Sequence, residues 1–422
     1  MSTNHPRPAE PARQSLKWPR VRRWLILSGV LVCVGFLLGQ LWGRHQVLGE
    51  VQPRALTKET GAAKHELVGR WGTLEVVPIE IERPNAFINA TLGGEPAARW
   101  LFPGVTTGQL EALFQQPDLT PAQQAGLLDK GTWEQATNGI AVRPGTDLIL
   151  GLSPAARARL YFVLGTNSAN PSQRWPIMRR KSSVDDWLAR SGLSDTASRL
   201  VRSLLYEQGP MVAFADTDAA LNELPASHDR FRLLKTLSRQ PTLLAKLRIR
   251  EGEDVAPLVN YWGRGGRAKD VQPLLESLAR VQGGALLDLA HVLPPLARMK
   301  IYTYPFPSDD PAAGGRDCAW TALNFFAEEP DERPLDQETV HHTIQRRYYP
   351  VQDEPQFGDI VCFMDREGNP IHVAVHLAAG LLFTKNGATF HAPWVVMRLD
   401  DVVAAYTTQE PPRVRFFRDK RL

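Results

Sequence analysis

The stretch that decides the fold runs from Phe357 to Gly387 and reads FGDIVCFMDREGNPIHVAVHLAAGLLFTKNG. It contains three strand-like runs, FGDIVCFMD (357–365), IHVAVHL (371–377) and LLFTKNG (381–387). The segment REGNP, with its Gly, Asn and Pro, has the composition of a turn, and a short Ala-Ala-Gly connection joins the second run to the third. Alternating runs bounded by turn residues predict a strand followed by an antiparallel hairpin.

The hairpin predicts which side chains face each other across its two strands. With its turn centred on Ala379, residues equally distant from that centre are opposite, so His372 is expected to face Asn386. Directly opposed residues have Cβ atoms about 5 Å apart. A side-chain amide at that distance can hold an imidazole in one tautomer, which is what a catalytic histidine requires.

A cysteine at a helix start supplies the third member of this set. The segment DCAWTALNFFAEE (317–329) follows a proline- and glycine-rich loop, and Asp317 is expected to cap the helix that begins at Cys318. A helix N-terminus lowers the pKa of a thiol, whereas the charge of Asp317 raises it. The residues therefore predict a Cys–His–Asn arrangement in which Cys318 is the nucleophile, His372 the base and Asn386 the orienting amide.

A second histidine competes for the role of base. His376 lies on the same strand face as His372, and its expected partner across the hairpin is Leu382. Because a leucine cannot orient a ring, His372 is the preferred base.

Other uses of these residues stay open at this point. A zinc site built from His372, His376 and either Cys318 or His391 is possible, although no compact ligand spacing supports it. Cys362, in the middle of a strand, is interpreted as structural, or as a disulfide partner of Cys318 if this part of the chain lies outside the cytoplasm.

The pieces DCAWTALNFF, FGDIVCFMD, IHVAVHLAAG and LLFTKNG resemble the NlpC-type papain-like cysteine peptidases. The resemblance covers only the C-terminal part of the chain. It implies a helix that carries the nucleophile Cys318, packed on a small antiparallel sheet that carries His372, with Asn386 at the third polar position. Many members of that family cut peptide links in cell-wall stem peptides. Where the family commonly has Ser-Gly after the cysteine, this chain has Ala319-Trp320, so Trp320 is expected to alter the groove beside the nucleophile.

The charge of the chain points to a membrane anchor. The net charge is +4 and the pI about 9.0. Residues 1–23 hold six cations and one carboxylate, so they account for +5 and the remainder for −1. The uncharged run WLILSGVLVCVGFLLGQLW (24–42) follows, which is just long enough to span a bilayer and has a tryptophan at each end. The cations before it predict a cytoplasmic N-terminus and an extracytoplasmic body; a cleaved signal peptide is the alternative.

The body between the anchor and the C-terminal unit gives weaker signals. An edge strand with a break at Pro78 is expected within 67–83, and Thr120-Pro121 and Ser153-Pro154 each predict a helix start. The leucines from Leu233 to Leu247 fit a helical period. The predicted organisation is a basic tail (1–23), a membrane span (24–42), a linker (43–66), a mixed α/β region (67–183), a mostly helical region (184–300) and an NlpC-like domain (301–422).

These observations predict an α+β protein that is a membrane-anchored cysteine hydrolase. Its expected reaction is cleavage of an amide bond, with cell-wall peptide as the expected substrate, and neither a metal nor a cofactor is expected. Nucleic acid is not an expected partner because the basic surplus is confined to the tail. The alternative function is a non-catalytic envelope protein in which the helical region binds a partner and the papain-like domain is degenerate.

Overall fold

A computed structural model describes residues 65–91, 98–306, 316–333, 337–388, 391–407 and 410–422. The predicted basic tail and membrane span, and all but the last two residues of the predicted linker, lie outside the described residues. Within the described ranges, no helix has both the length and the hydropathy needed to cross a membrane.

The described chain mixes helices and antiparallel strands, which agrees with the expected α+β class. The strands are β1 (His65–Gly69), β2 (Gly72–Ile81), β3 (Trp100–Pro103), β4 (Trp133–Ala136), β5 (Gly139–Val142), β6 (Ile177–Arg180), β7 (Tyr206–Gln208), β8 (Met211–Phe214), β9 (Gln240–Ile249), β10 (Ala285–Asp288), β11 (Tyr348–Pro350), β12 (Ile360–Met364), β13 (Pro370–Ala378), β14 (Leu381–Lys385), β15 (Trp394–Arg398) and β16 (Arg413–Asp419). The α-helices are α1 (Asn85–Thr91), α2 (Thr107–Phe114), α3 (Pro121–Leu128), α4 (Thr146–Gly151), α5 (Pro154–Gly165), α6 (Pro171–Arg174), α7 (Val184–Ala189), α8 (Asp195–Leu204), α9 (Thr217–Asn222), α10 (Ser227–Ser238), α11 (Ala256–Trp262), α12 (Ala268–Ala279), α13 (Pro295–Lys300), α14 (Cys318–Leu323), α15 (Gln337–Arg347) and α16 (Leu399–Tyr406).

The C-terminal strands form one antiparallel sheet in the order β11-β16-β12-β13-β14-β15. The predicted strand, turn and hairpin are confirmed as β12, the REGNP turn and β13–β14. His376 faces Leu382, as the predicted register requires. The turn itself consists of Ala379 and Gly380, both with positive φ, a pattern that matches the twist of a hairpin. A bulge between His376 and Ala378 absorbs the offset between this turn and the predicted centre.

A second antiparallel sheet has the order β1-β2-β9-β10. The predicted break at Pro78 is wrong, because β2 runs through Pro78, which lies opposite Leu243. In the sheet order β2 lies between β1 and β9, so the expectation of an edge strand is also wrong for β2 as a whole. Among the described strands β1 pairs with β2 only as far as Val76, so the missing N–H of Pro78 removes no described bond to β1.

The expected helix through Leu243 and Leu247 is also wrong. These residues lie on β9, where Leu243, Ala245, Leu247 and Ile249 are buried at every second position. The leucine spacing fits a helix and a strand alike, and pairing with β2 along the whole of β9 selects the strand.

Residues 98–238 form an insertion between β2 and β9. They contain two three-stranded sheets, in the orders β3-β5-β4 and β6-β8-β7, with α2–α10 around them. Their apolar side chains form two clusters, one around Trp100 and Tyr161 and the other around Trp187 and Phe214.

The remaining chain is built on one hydrophobic core, which differs from the expected boundary at residue 301. Side chains of β2, β9, α11–α13, α14 and β12–β15 share a single buried cluster. The hydroxyl of Tyr261 on α11 donates a hydrogen bond of 2.8 Å to the carbonyl of Leu377 on β13. The predicted NlpC-like unit is therefore continuous with residues 65–91 and 240–300 rather than a separate domain, because neither sheet buries its inner face alone.

The two faces of the C-terminal sheet are covered by different helices. Val373 and Val375 face the shared core, which contains α14. Ala374 and Phe363 face the opposite side, where Val402 and Tyr406 of α16 cover them. Since neighbouring residues of a strand point to opposite faces, this alternation determines which helix each site residue meets.

Candidate active site

The helix that carries Cys318 is held at its start by Asp317. The Asp317 side chain accepts a hydrogen bond of 3.0 Å from the backbone N–H of Trp320, which confirms the predicted cap. The Trp394 indole donates a hydrogen bond of 2.9 Å to Thr321 Oγ1, which ties the helix to β15. Cys318, the first residue of the helix, is half-buried. The cap and this tie therefore keep the thiol in one place.

The Cys318 sulfur lies where two strands part. Strands β13 and β14 pair from Val375 and Phe383 towards the turn, whereas Thr384 and Lys385 pair only with β15 among the described strands. The backbone N–H groups of Val373 and Ala319 hydrogen-bond to the sulfur, which lowers its pKa. Burial and the charge of Asp317 act more strongly in the other direction and raise the pKa of Cys318 to about 12. The resting group is therefore a neutral thiol at the opening of the sheet.

His372 is held rigidly on the other side of this opening. The residue is only 1% exposed, and its ring stacks on that of Tyr406, with ring centres 4.2 Å apart. Its Nε2 shares a hydrogen bond of 2.8 Å with Thr384 Oγ1. Burial lowers the pKa of His372 to about 3, so the imidazole is neutral. Its buried Nδ1 finds no hydrogen-bond partner among the residues that the structure describes.

The predicted orienting amide is in a different place. Asn386 does not contact the ring of His372 by a hydrogen bond within the described part of the chain: its Nδ2 lies 2.9 Å from Met397 Sδ, and its buried Oδ1 finds no partner there. Thr384 takes the position on His372 Nε2 instead. Because β13 and β14 part before they reach His372, the direct cross-strand partner moves away, and the diagonal residue two positions closer to the turn reaches the ring.

Thr384 could have been found from the sequence. It lies on the same face of the predicted hairpin as Asn386, and it is a polar residue that follows three apolar residues in the strand. A hydroxyl can either accept from the ring N–H or donate to the ring nitrogen, whereas an amide oxygen can only accept. When Thr384 accepts from Nε2–H, the lone pair of His372 is on Nδ1, the nitrogen that a base would use.

Cys318 and His372 approach the opening from opposite faces of the sheet. Helix α14 packs on the face of Val373, whereas the ring of His372 lies against Tyr406 on the other face. Tyr406 is near both, since the charges of Cys318 and Asp317 contribute to its raised pKa. Within the described residues no hydrogen bond joins the sulfur to His372 Nδ1, so the structure does not bring the predicted nucleophile and base into contact. Catalytic hydrogen bonds are often long before substrate binds.

Lys385 is a site residue that the sequence analysis missed. Its side chain is fully buried, and its Nζ donates a hydrogen bond of 2.6 Å to the carbonyl of Gly387. Its charge interacts with those of Asp317 and Cys318, and burial lowers its pKa to about 7. A lysine in an apolar strand was the available signal, but its burial depends on α14 covering that face.

The competing residues have other partners. His376 Nδ1 lies 3.1 Å from the carbonyl oxygen of Gln356, and its ring meets Phe416 edge-on. Cys362 is 1% exposed in the middle of β12, opposite Val373, and both it and Cys318 are free cysteines. No cluster of three His, Cys, Asp or Glu side chains within the described ranges is arranged to hold a metal ion.

Trp320 does not lie in the groove beside the nucleophile, which corrects the expectation for it. The residue is 1% exposed and belongs to the shared core. As the third residue of α14 it points at the sheet, and the half-buried Arg316 guanidinium lies 5.2 Å from its ring centre.

A cavity of about 360 Å³ opens at the far end of α14, lined by Leu323, Asn324 and Phe326 among others. Neither Cys318 nor His372 lines it. It is therefore separate from the cysteine and histidine described above.

The site is thus a neutral thiol and a neutral, rigidly held imidazole on either side of an opening in the sheet, with a buried lysine beside the thiol. No protein family, no curated protein and no solved structure matches the chain.

Proposed function

We propose that the protein is a cysteine hydrolase that cleaves an amide bond, with Cys318 as nucleophile, His372 as base and Thr384 as the residue that orients the imidazole. The observation that carries the proposal is the free Nδ1 of His372. The ring is held by Thr384 and Tyr406, no described residue hydrogen-bonds to Nδ1, and the next residue along the strand, Val373, binds the Cys318 sulfur. A buried ring nitrogen without a partner costs free energy, and such groups persist where they serve chemistry.

The proposed reaction begins from the neutral pair. As the Cys318 sulfur bonds to the substrate carbonyl carbon, its proton passes to His372 Nδ1, and the carbonyl oxygen becomes an oxyanion. Collapse of this intermediate breaks the C–N bond, and the imidazolium gives its proton to the departing amine. Water then attacks the thioester with His372 as base, which releases the carboxylic acid and restores the thiol.

Burial favours this order of events. It disfavours the charged forms of both Cys318 and His372, so a resting thiolate–imidazolium pair is not the stable state. The charge separation develops only with the substrate present, and the Val373 and Ala319 N–H groups that bind the sulfur stabilise it as it ionises.

We further propose that the hydrolase acts on cell-wall peptide and is anchored by residues 24–42, with its body outside the cytoplasm. The support is the uncharged run of nineteen residues behind a tail of net charge +5, together with the resemblance to NlpC-type peptidases. Fractionation of the full chain with membranes, and protease accessibility of the body from the outside, test the anchor separately from the chemistry.

The test of the chemistry compares two cysteine variants of the full chain. Purified wild type, Cys318→Ala and Cys362→Ala are incubated with muropeptides, and the products are identified by mass spectrometry. Cys318→Ala is expected to abolish turnover, and Cys362→Ala to retain it, since Cys362 lies in the core. An unchanged rate for Cys318→Ala contradicts the proposal.

One observation favours the second candidate, a non-catalytic envelope protein whose papain-like part is degenerate. The described contacts include no hydrogen bond between the sulfur and the imidazole, and the pKa of Cys318 is raised. Thiol labelling of the body at neutral pH separates the candidates. A Cys318 that reacts no faster than an ordinary buried thiol, in a chain that turns over no peptide, supports the non-catalytic protein.

A further inference from the structure

Lys385 occupies a position that lysine rarely takes. The residue is 0% exposed, and lysines are almost never fully buried unless they are paired. Its Nζ donates a hydrogen bond of 2.6 Å to the Gly387 carbonyl and lies 5.6 Å from the ring centre of Trp394. A hydrocarbon side chain would fill this space without the cost of burying an ammonium group, so the charge itself requires an explanation.

The charged neighbours of Lys385 supply that explanation. On β14, Lys385 lies on the same face as Phe383, which packs in the core with α14. The titratable groups whose charges interact with it include Asp317 and Cys318 at the start of α14 and His391 beyond the end of β14. Asp317 alone would oppose ionisation of the adjacent sulfur, because two negative charges would be buried side by side.

We propose that Lys385 is a positioning residue whose buried ammonium group offsets the carboxylate of Asp317 and so lets the Cys318 sulfur ionise. This role rests on the proposed function and adds Lys385 to Cys318, His372 and Thr384. Lys385 affects the reaction through its charge on Asp317 and Cys318 rather than by contact with the substrate. The pKa of Lys385 near 7 means that the cation is partly populated at neutral pH and titrates within the working range of an enzyme.

The test is the rate at which iodoacetamide alkylates Cys318 in the full chain, measured by mass spectrometry from pH 6 to 10 in a Cys362→Ala background. Each unit by which the pKa of the thiol rises lowers the thiolate fraction about tenfold while that pKa exceeds the pH. Lys385→Met is expected to slow labelling at pH 7.5 by about tenfold or more. Lys385→Gln, which can still donate to the Gly387 carbonyl, is expected to slow it similarly, and Lys385→Arg to retain most of the rate.

Lys300→Met is the matched control. The Lys300 Nζ lies 5.0 Å from the same Trp394 ring, but the charges with which Lys300 interacts are those of Arg316 and Glu332 rather than Cys318. Its loss removes a cation from the same indole and is expected to leave the labelling rate unchanged. An equal slowing in Lys300→Met and Lys385→Met overturns the proposal.

The double variant Asp317→Asn, Lys385→Met separates an electrostatic effect from misfolding. It removes the buried ammonium group and the carboxylate together, so neither charge is left without the other. It is expected to label at about the wild-type rate. A double variant as slow as Lys385→Met, or folded Lys385→Met and Lys385→Gln variants that label at the wild-type rate, overturns the proposal. No substrate takes part in the assay, so failure to hydrolyse muropeptide contradicts the proposed function without touching this result.

Discussion

Replacing Thr384 by valine tests whether the structure has identified the true partner of His372. Valine keeps the size and branching of threonine and removes only the hydroxyl that shares the 2.8 Å hydrogen bond with Nε2. The ring is 1% exposed, so water cannot replace the lost partner. A hydrogen bond to a charged group contributes about 1.5–3 kcal/mol, and His372 becomes charged only as the thiol attacks. Thr384→Val is therefore expected to lower kcat/KM by about 10- to 150-fold.

The assay compares Thr384→Val with Thr384→Ser and Asn386→Ala on the same peptide substrate. Thr384→Ser restores the hydroxyl and is expected to recover most of the activity. Asn386→Ala removes no hydrogen bond to the ring and is expected to cost little, since the Nδ2 contact of Asn386 is with Met397. The ¹⁵N spectrum of the ring adds a readout that does not depend on turnover, because loss of the Thr384 bond changes the tautomer balance. A larger loss in Asn386→Ala than in Thr384→Val would refute this assignment.

Two further predictions follow from the electrostatics of the site. Asp317→Asn keeps a good helix cap but removes the charge that opposes ionisation of Cys318, so labelling by iodoacetamide at pH 7.5 is expected to become several-fold faster than in wild type; slower labelling would contradict the electrostatic argument. Burial holds the pKa of His372 at about 3 and that of His376 at about 4, below the value of 6.5 for an exposed histidine. Between these limits the unfolded chain binds protons that the folded chain does not, so stability is expected to fall as the pH drops from about 6.5 towards 4, by about 1.4 kcal/mol per pH unit for each such histidine. His376→Phe should make this fall shallower in urea unfolding measured from pH 4.5 to 7, and an unchanged slope would show that His376 does not contribute.

Local signals in the sequence identified those elements whose geometry is set by neighbouring residues. The Thr120 and Ser153 side chains accept hydrogen bonds from the backbone N–H groups of Gln123 and Ala156, as helix caps predicted from those sequences do. The hairpin is likewise confirmed, because alternation and a two-residue turn specify it within the sixteen residues from Pro370 to Lys385.

Elements that depend on distant partners were the ones missed. The leucines of β9 fit a helical period as well as a strand. They form a strand because β9 pairs with β2, in a register that places Lys246 opposite Glu75, about 170 residues earlier in the chain. Thr384, rather than the predicted Asn386, hydrogen-bonds to His372 because β13 and β14 separate near His372. No spacing rule along the chain predicts that separation. The shared core was missed for the same reason. It joins side chains of β2 to side chains that follow residue 240, and the insertion of residues 98–238 separates them in the sequence.

The insertion contacts the residues around the candidate site at two places. The Trp175 indole lies against Gly387, so close that a Cβ on that glycine would be 3.3 Å from Trp175 Cδ1. Arg180 on β6 forms an ion pair with Asp401 of α16, the helix whose Tyr406 stacks on His372. The Gly387 carbonyl in turn accepts the hydrogen bond of Lys385.

These contacts change how the two candidate functions relate to each other. We expect a partner that binds residues 98–238 and displaces Trp175 to loosen the packing at Gly387, whose carbonyl accepts the hydrogen bond of Lys385. In that case partner binding by the insertion would change the charge beside Cys318, and partner binding and catalysis would not be exclusive alternatives. Because we expect ionisation of the Cys318 thiol to depend on that charge, the rate at which Cys318 is labelled is expected to change when a partner binds the insertion. Any partner found for residues 98–238 is therefore best tested by measuring the labelling rate of Cys318 with and without it.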